Sequence, residues 1–161
     1  AMTISPAARE RLRFLARVVS KEIGHLQHTD GRLFRQRFSA DAAAQLAHDP
    51  DLAERVDAFV TRFGRLQDTI GDKLLPALLQ ALGERTGPAV DNLDRAERLG
   101  LIASAEQWMT IRKLRNLMIH DYIEDPAVLA DALQTGHDNL PLLLDAANSM
   151  LGELSRRKLA E

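Results

Sequence analysis

The chain has no cysteine, one tryptophan and one tyrosine among its 161 residues. Without cysteine it forms neither a disulfide nor a thiolate-ligated metal site, and that absence fits a reducing cytoplasm. Aromatic residues make up only 4% of the chain, and β-branched residues are few, so the side chains that strands prefer are scarce. No apolar run approaches the roughly 20 residues that a membrane-spanning helix needs, and the N-terminus lacks a signal-peptide core. These absences exclude a disulfide scaffold and a helical membrane protein. They predict a cytoplasmic protein that does not touch membrane.

What is present favours helix. Hydrophobic residues make up 45% of the chain, and Ala, Leu, Arg, Glu and Asp dominate. The length suits one domain over residues 1–161, with Ala1 before Met2 resembling a tag remnant. Ser5-Pro6 predicts an N-cap and first turn, followed by Leu12, Leu15, Val18, Val19 and Ile23 at helical spacing. Gly24 is expected to end that helix, with a polar loop from His25 to Gly31. Ser39 opens a short alanine-rich helix, and Asp49-Pro50 starts a long one reaching Leu82. A short helix follows between Gly87-Pro88 and Gly100. Ser104 and Gln107 suggest a capping box for the next helix. Asp125-Pro126 opens the last, with an interruption near Pro141. The expected fold is all-α, an antiparallel bundle of four to five helices.

Charge is unevenly spread. Residues 1–38 carry eight basic against three acidic side chains, a local +5 that leaves −7 for the rest of a chain of net charge −2. Such a basic end suits phosphates or an acidic protein.

The segment RKLRNLMIHDY, residues 112–122, gathers polar chemistry in an otherwise helical stretch. On a wheel, Ile111, Leu114, Leu117 and Met118 are expected to face the core, with Arg112, Arg115, Asn116 and His120 opposite; Arg115 sits a little round the helix, and its long side chain reaches the same patch. Arginine offers a permanent, planar fork for phosphate oxygens. Histidine exchanges protons near neutrality, and asparagine orients by hydrogen bonding. Each has an ordinary use too: Arg115 in a surface ion pair, His120 at a helix C-terminus, Tyr122 as a buried anchor. Arg followed five places on by His is expected about half a time by chance in this composition. Requiring Asn beside the Arg and Tyr two places after the His lowers that to about one in ten thousand.

The pattern Arg115-Asn116-x-x-x-His120-x-Tyr122 resembles the signature of the HEPN superfamily, and within it the HepT-like toxins encoded beside a minimal nucleotidyltransferase antitoxin. Ile70-Gly71-Asp72 is similar to that family's Ile-Gly-acid segment, and the helix order agrees over residues 5–155. The resemblance implies a homodimer with metal-independent endoribonuclease activity, RNA as substrate, no cofactor, and a cleft shared between two subunits. It implies catalytic roles for Arg115 and His120, a supporting one for Asn116, and Tyr122 as a site that the partner modifies with AMP. It equally admits a non-catalytic, substrate-binding partner of a nucleotidyltransferase. The chain lacks the Gly-Ser and paired aspartates of a transferase, so it would be the partner and not the enzyme that transfers.

Other groupings are secondary. Glu22-x-x-His25-x-x-His28 has ligand spacing, but a di-iron bundle needs two Glu-x-x-His copies, so no metal site is expected. Gly64 and Gly71 on the long helix predict a close helix approach, because each costs about 1 kcal/mol relative to alanine. Asp68 and Asp72, one turn apart, are candidate supports for Arg115 or Arg112, with Arg65 and Lys73 as competing partners on their own helix.

Overall fold

A computed structural model describes residues 4–120 and 125–161, with His120 described in its backbone only. Among these residues there is no strand. The helices are α1 (Pro6–Leu33), α2 (Ala40–Ala44), α3 (Pro50–Asp68), α4 (Leu75–Ala81), α5 (Ala89–Arg98), α6 (Ala105–His120), α7 (Pro126–Asp138) and α8 (Leu140–Arg156). The chain folds as an all-α bundle.

Short-range chemistry sets the helix starts. Ser5 accepts the N–H of Ala8, Ser39 that of Ala42, Asp49 that of Leu52, Ser104 that of Gln107 and Asp125 that of Ala127, at 2.9–3.1 Å. Each such cap satisfies an otherwise orphaned backbone donor. Gly100, with φ +75, follows α5 in the left-handed conformation that glycine adopts most readily. The interruption expected near Pro141 is present as the break between α7 and α8.

The expected stop at Gly24 does not occur, and the expected loop is helix. α1 runs through to Leu33, because its buried positions continue through Leu26 and Leu33 in the same seven-residue step as Val19. Arg62 of α3 also donates to the His25 carbonyl and the Thr29 hydroxyl, stitching this part of α1 down. Packing along a partner helix outweighs one glycine's cost of about 1 kcal/mol. At the end of α1, Asp30 meets His137 of α7 at 2.6 Å, and that imidazole stacks on Phe34.

α3 and α4 form one rod, joined by a π-helical stretch, Thr69–Leu74, in which the N–H of Leu75 reaches the Ile70 carbonyl. Pro76 explains it. Proline lacks the N–H that would bond the Asp72 carbonyl four residues back, and its ring crowds that oxygen, so the turn widens. The rod lies between α1 and α6. Its Phe59, Phe63, Leu66, Ile70 and Leu74 are fully buried in one core with Leu12, Leu15 and Val19 of α1 and Met118 of α6.

Candidate functional site

Two side chains of α6 sit on the two glycines of the rod. A Cβ at Gly64 would lie 2.8 Å from Arg115 Nε, and one at Gly71 would lie 3.1 Å from Trp108 Cζ2. The glycines are seven residues apart, and so are Arg115 and Trp108. The two contacts therefore belong to one antiparallel register of α6 on the rod. The close approach expected from Gly64 and Gly71 is found, and what fills it is an indole and a guanidinium.

Arg115 Nη2 donates to Asp68 Oδ2 at 3.0 Å. Asp68 lies one turn beyond Gly64 on the same side of α3, so the glycine makes room for the arginine stem while the carboxylate fixes the fork. Of the partners open to Asp68, the pairing is with Arg115 and not with Arg65 or Lys73. The carboxylate is 44% exposed, so the pair contributes only about 0–1 kcal/mol to stability. Arg115 Nε is meanwhile buried without a hydrogen-bond partner, which costs about 1–3 kcal/mol, more than such a pair returns. The arrangement orients the guanidinium more than it stabilises the fold.

This guanidinium lies in an open groove of about 700 Å³ between α3 and α6. Val56, Val60, Met118 and Ile119 form its apolar walls; Arg65, Lys73 and Arg115 are its cations, and Asp57 and Asp68 its carboxylates. Thr69 also lines it, at the start of the π stretch. Its hydroxyl is 2.9 Å from the Arg65 carbonyl and 3.0 Å from Glu22 Oε1, and its one proton serves one acceptor at a time. Burial pushes the Glu22 carboxyl above its ordinary range, and Asp68 adds to that rise; the Thr69 hydroxyl, Arg65 and Lys73 oppose it. The second oxygen of Glu22 is buried without a partner.

The sequence-derived candidates separate here. Arg115 and Asp68 come together. Asn116 is exposed, Arg112 is half-buried, and neither lines the groove. Asp72 is exposed in the π stretch and forms no ion pair among the described residues. The side chain of His120, and Tyr122 entirely, lie outside the described residues.

The proposed polar face needs correction. Ile111, Leu114 and Met118 are buried as expected, but Leu117 is 44% exposed. Arg115 is not opposite them: at about 100° per residue it falls about 40° from Ile111, on the side that meets α3. A charged side chain sits there because Gly64 vacates the space. Arg65, Lys73, Thr69 and Glu22 were not anticipated as neighbours of the motif. The one signal in the sequence was the shared spacing of Gly64 and Gly71 with Trp108 and Arg115.

Among the described residues, no three His, Asp or Glu side chains are placed to hold a metal ion, and no helix is long and apolar enough to cross a membrane. No protein family, curated protein or solved structure matches the chain. The class that fold and site define is thus an all-α bundle with an arginine-centred groove.

Proposed function

We propose that the chain is a metal-independent endoribonuclease of the HEPN type, acting as a homodimer and paired with a minimal nucleotidyltransferase as its antitoxin in the cytoplasm. The observation that supports this most is Arg115 of the Arg-Asn-x-x-x-His-x-Tyr pattern, seated over Gly64 and oriented by Asp68 in an open groove. His120 takes the proton of a ribose 2′-OH. The 2′-oxygen bonds to phosphorus as the bond to the 5′-oxygen breaks, and the leaving oxygen takes up a proton. Arg115 stabilises charge on the phosphoryl oxygens in the transition state. Asn116 has a supporting role at the helix surface, and AMP on Tyr122 would block the cleft with negative charge.

A homodimer suits this chemistry. The family that the motif resembles places the Arg and His motifs of two subunits along one shared cleft. Leu117 and Ile119, 44% and 38% exposed near the end of α6, offer apolar surface for that contact.

The test is cleavage of RNA by purified protein in EDTA. The expected product ends in a 2′,3′-cyclic phosphate, and Arg115→Ala or His120→Ala lowers the rate by at least about a hundredfold. Equal cleavage by His120→Ala would sink the assignment. The Asp68 pair supports a second reading, because it occupies one edge of the guanidinium: a non-catalytic partner that presents substrate to a nucleotidyltransferase. That reading expects a stable complex with the transferase and no cleavage by the chain alone.

A further inference from the structure

The outward face of α1 gathers positive charge that the fold does not use. Arg11, Arg17, Lys21 and Arg32 are exposed along a helix of 28 residues, about 40 Å of surface. Among the described residues none of the four forms an ion pair. The three carboxylates of the same segment each have a partner of their own, with Glu10 on the same stripe as Phe14, Arg17 and Lys21. Glu10 pairs with Arg13 at 2.8 Å, Glu22 turns inward to Thr69, and Asp30 meets His137. Phe14, 46% exposed, stands among these cations with the Arg11 guanidinium 5.9 Å above its ring. On the same side, a Cβ at Gly24 or Gly31 would meet nothing within 4 Å. At the far end, Asp51 and Glu54 of α3 share a depression with Arg32.

We propose that this face of α1 binds the backbone of single-stranded RNA and leads it to the groove. Cations spaced along one face neutralise phosphates, and an exposed aromatic ring among them offers a base a stacking surface whatever its sequence. The face connects to the groove: a small depression formed by Glu22, His25, Arg62 and Arg65 lies beside it, and Arg65 also lines the groove. An acidic protein is the less suitable occupant. Protein interfaces centre on clusters of buried apolar anchors, and Phe14 is the single large apolar side chain exposed on this face among the described residues; Val90, Leu99, Leu117, Ile119 and Val128 lie on or beside α5, α6 and α7. The choice of RNA over other polyanions rests on the proposed ribonuclease reading; the electrostatic surface does not.

Binding to a 2′-O-methyl RNA of about 20 nucleotides tests this apart from cleavage, since that RNA has no 2′-OH to attack. Fluorescence anisotropy of the full-length chain, titrated over salt, is expected to show affinity falling linearly on a log–log scale. Arg17→Gln with Lys21→Gln should weaken binding about tenfold and reduce the salt slope by about 1.4. Arg17→Lys, which keeps the charge, should bind as the wild type does. Cleavage of a dinucleotide, too short to reach α1, should be unchanged in the double variant. Wild-type affinity and slope in the double variant would overturn the proposal, as would tight binding of poly-glutamate with none of the RNA. A chain that binds this RNA through Arg17 and Lys21 yet cleaves none would refute only the ribonuclease reading.

Discussion

Two helices of this protein carry glycines seven residues apart, and the structure treats them oppositely. On the central rod, Gly64 and Gly71 are covered by Arg115 and Trp108, so closely that any Cβ would press on its neighbour. On α1, Gly24 and Gly31 face open space. The same spacing is used inside the fold in one case and left unused by it in the other. A glycine inside a helix costs about 1 kcal/mol relative to alanine. Close helix contact offsets that cost on the rod; nothing among the described residues does so on α1. The comparison divides the molecule into a seam that is complete and a face that is not.

Substitution at the seam should separate its two contacts. Gly71→Ala pushes a methyl group against the ring of Trp108, which is only 4% exposed and has no room to move. A net loss of about 1–2 kcal/mol is expected, since overpacking outweighs the gain in helix propensity. Urea unfolding measures it, and an unchanged midpoint would show that α6 slides freely on the rod. Gly64→Ala meets a flexible side chain instead. The arginine can shift, so stability should change by less than about 0.5 kcal/mol as propensity and displacement offset each other. Its guanidinium, however, leaves the position that Asp68 fixes. On the proposed ribonuclease reading, RNA cleavage is therefore expected to fall about tenfold with the fold intact. If unfolding and cleavage fall together, Gly64 serves packing alone.

On α1 the expected sign reverses. Gly24→Ala and Gly31→Ala should each stabilise the chain, by up to about 1 kcal/mol, because the added methyl meets nothing and the helix gains propensity. A loss of stability at either position would mean that α1 is not continuous helix there. If RNA lies close against this face, the double variant should also bind the long oligonucleotide more weakly while melting higher, a combination that no purely structural role for these glycines produces.

How far the sequence could be read follows the range of the interactions. Helix starts at Ser5, Ser39, Asp49, Ser104 and Asp125 were legible because a cap is settled within three residues. The stop at Gly24 was misread because its outcome depends on α3, whose Arg62 lies 37 positions away from His25. The π stretch hinges on Pro76, and a proline inside a helix can end it, kink it or widen it depending on what packs around it. Arg115 sits round the helix from the polar arc, and a side chain long enough to reach that patch can equally turn inward, since its position on the wheel falls among the buried residues. Only the glycine opposite it resolves that conflict. Asp68 could be nominated from its spacing to Asp72. Glu22 and Thr69 could not, since they meet across two helices and no local pattern joins them.

Glu22 lies between the complete seam and the incomplete face, two residues before Gly24 on α1 and hydrogen-bonded to Thr69, two residues before Gly71 on the rod. Its carboxyl titrates above the ordinary 4.5 because burial disfavours the charge. The folded chain thus keeps a proton that the unfolded chain has already released, and this group's contribution to stability falls as pH rises through that window. Glu22→Gln keeps an acceptor for Thr69 and removes the charge. Its melting temperature should match the wild type in acid and lie slightly above it at neutral pH. The opposite result, a variant less stable at neutral pH, would mean that attraction to Arg65 and Lys73 outweighs burial. Glu22 would then be an ionised brace between α1 and the groove cations, and the positive surface joining the two regions would be weaker than its arginines suggest.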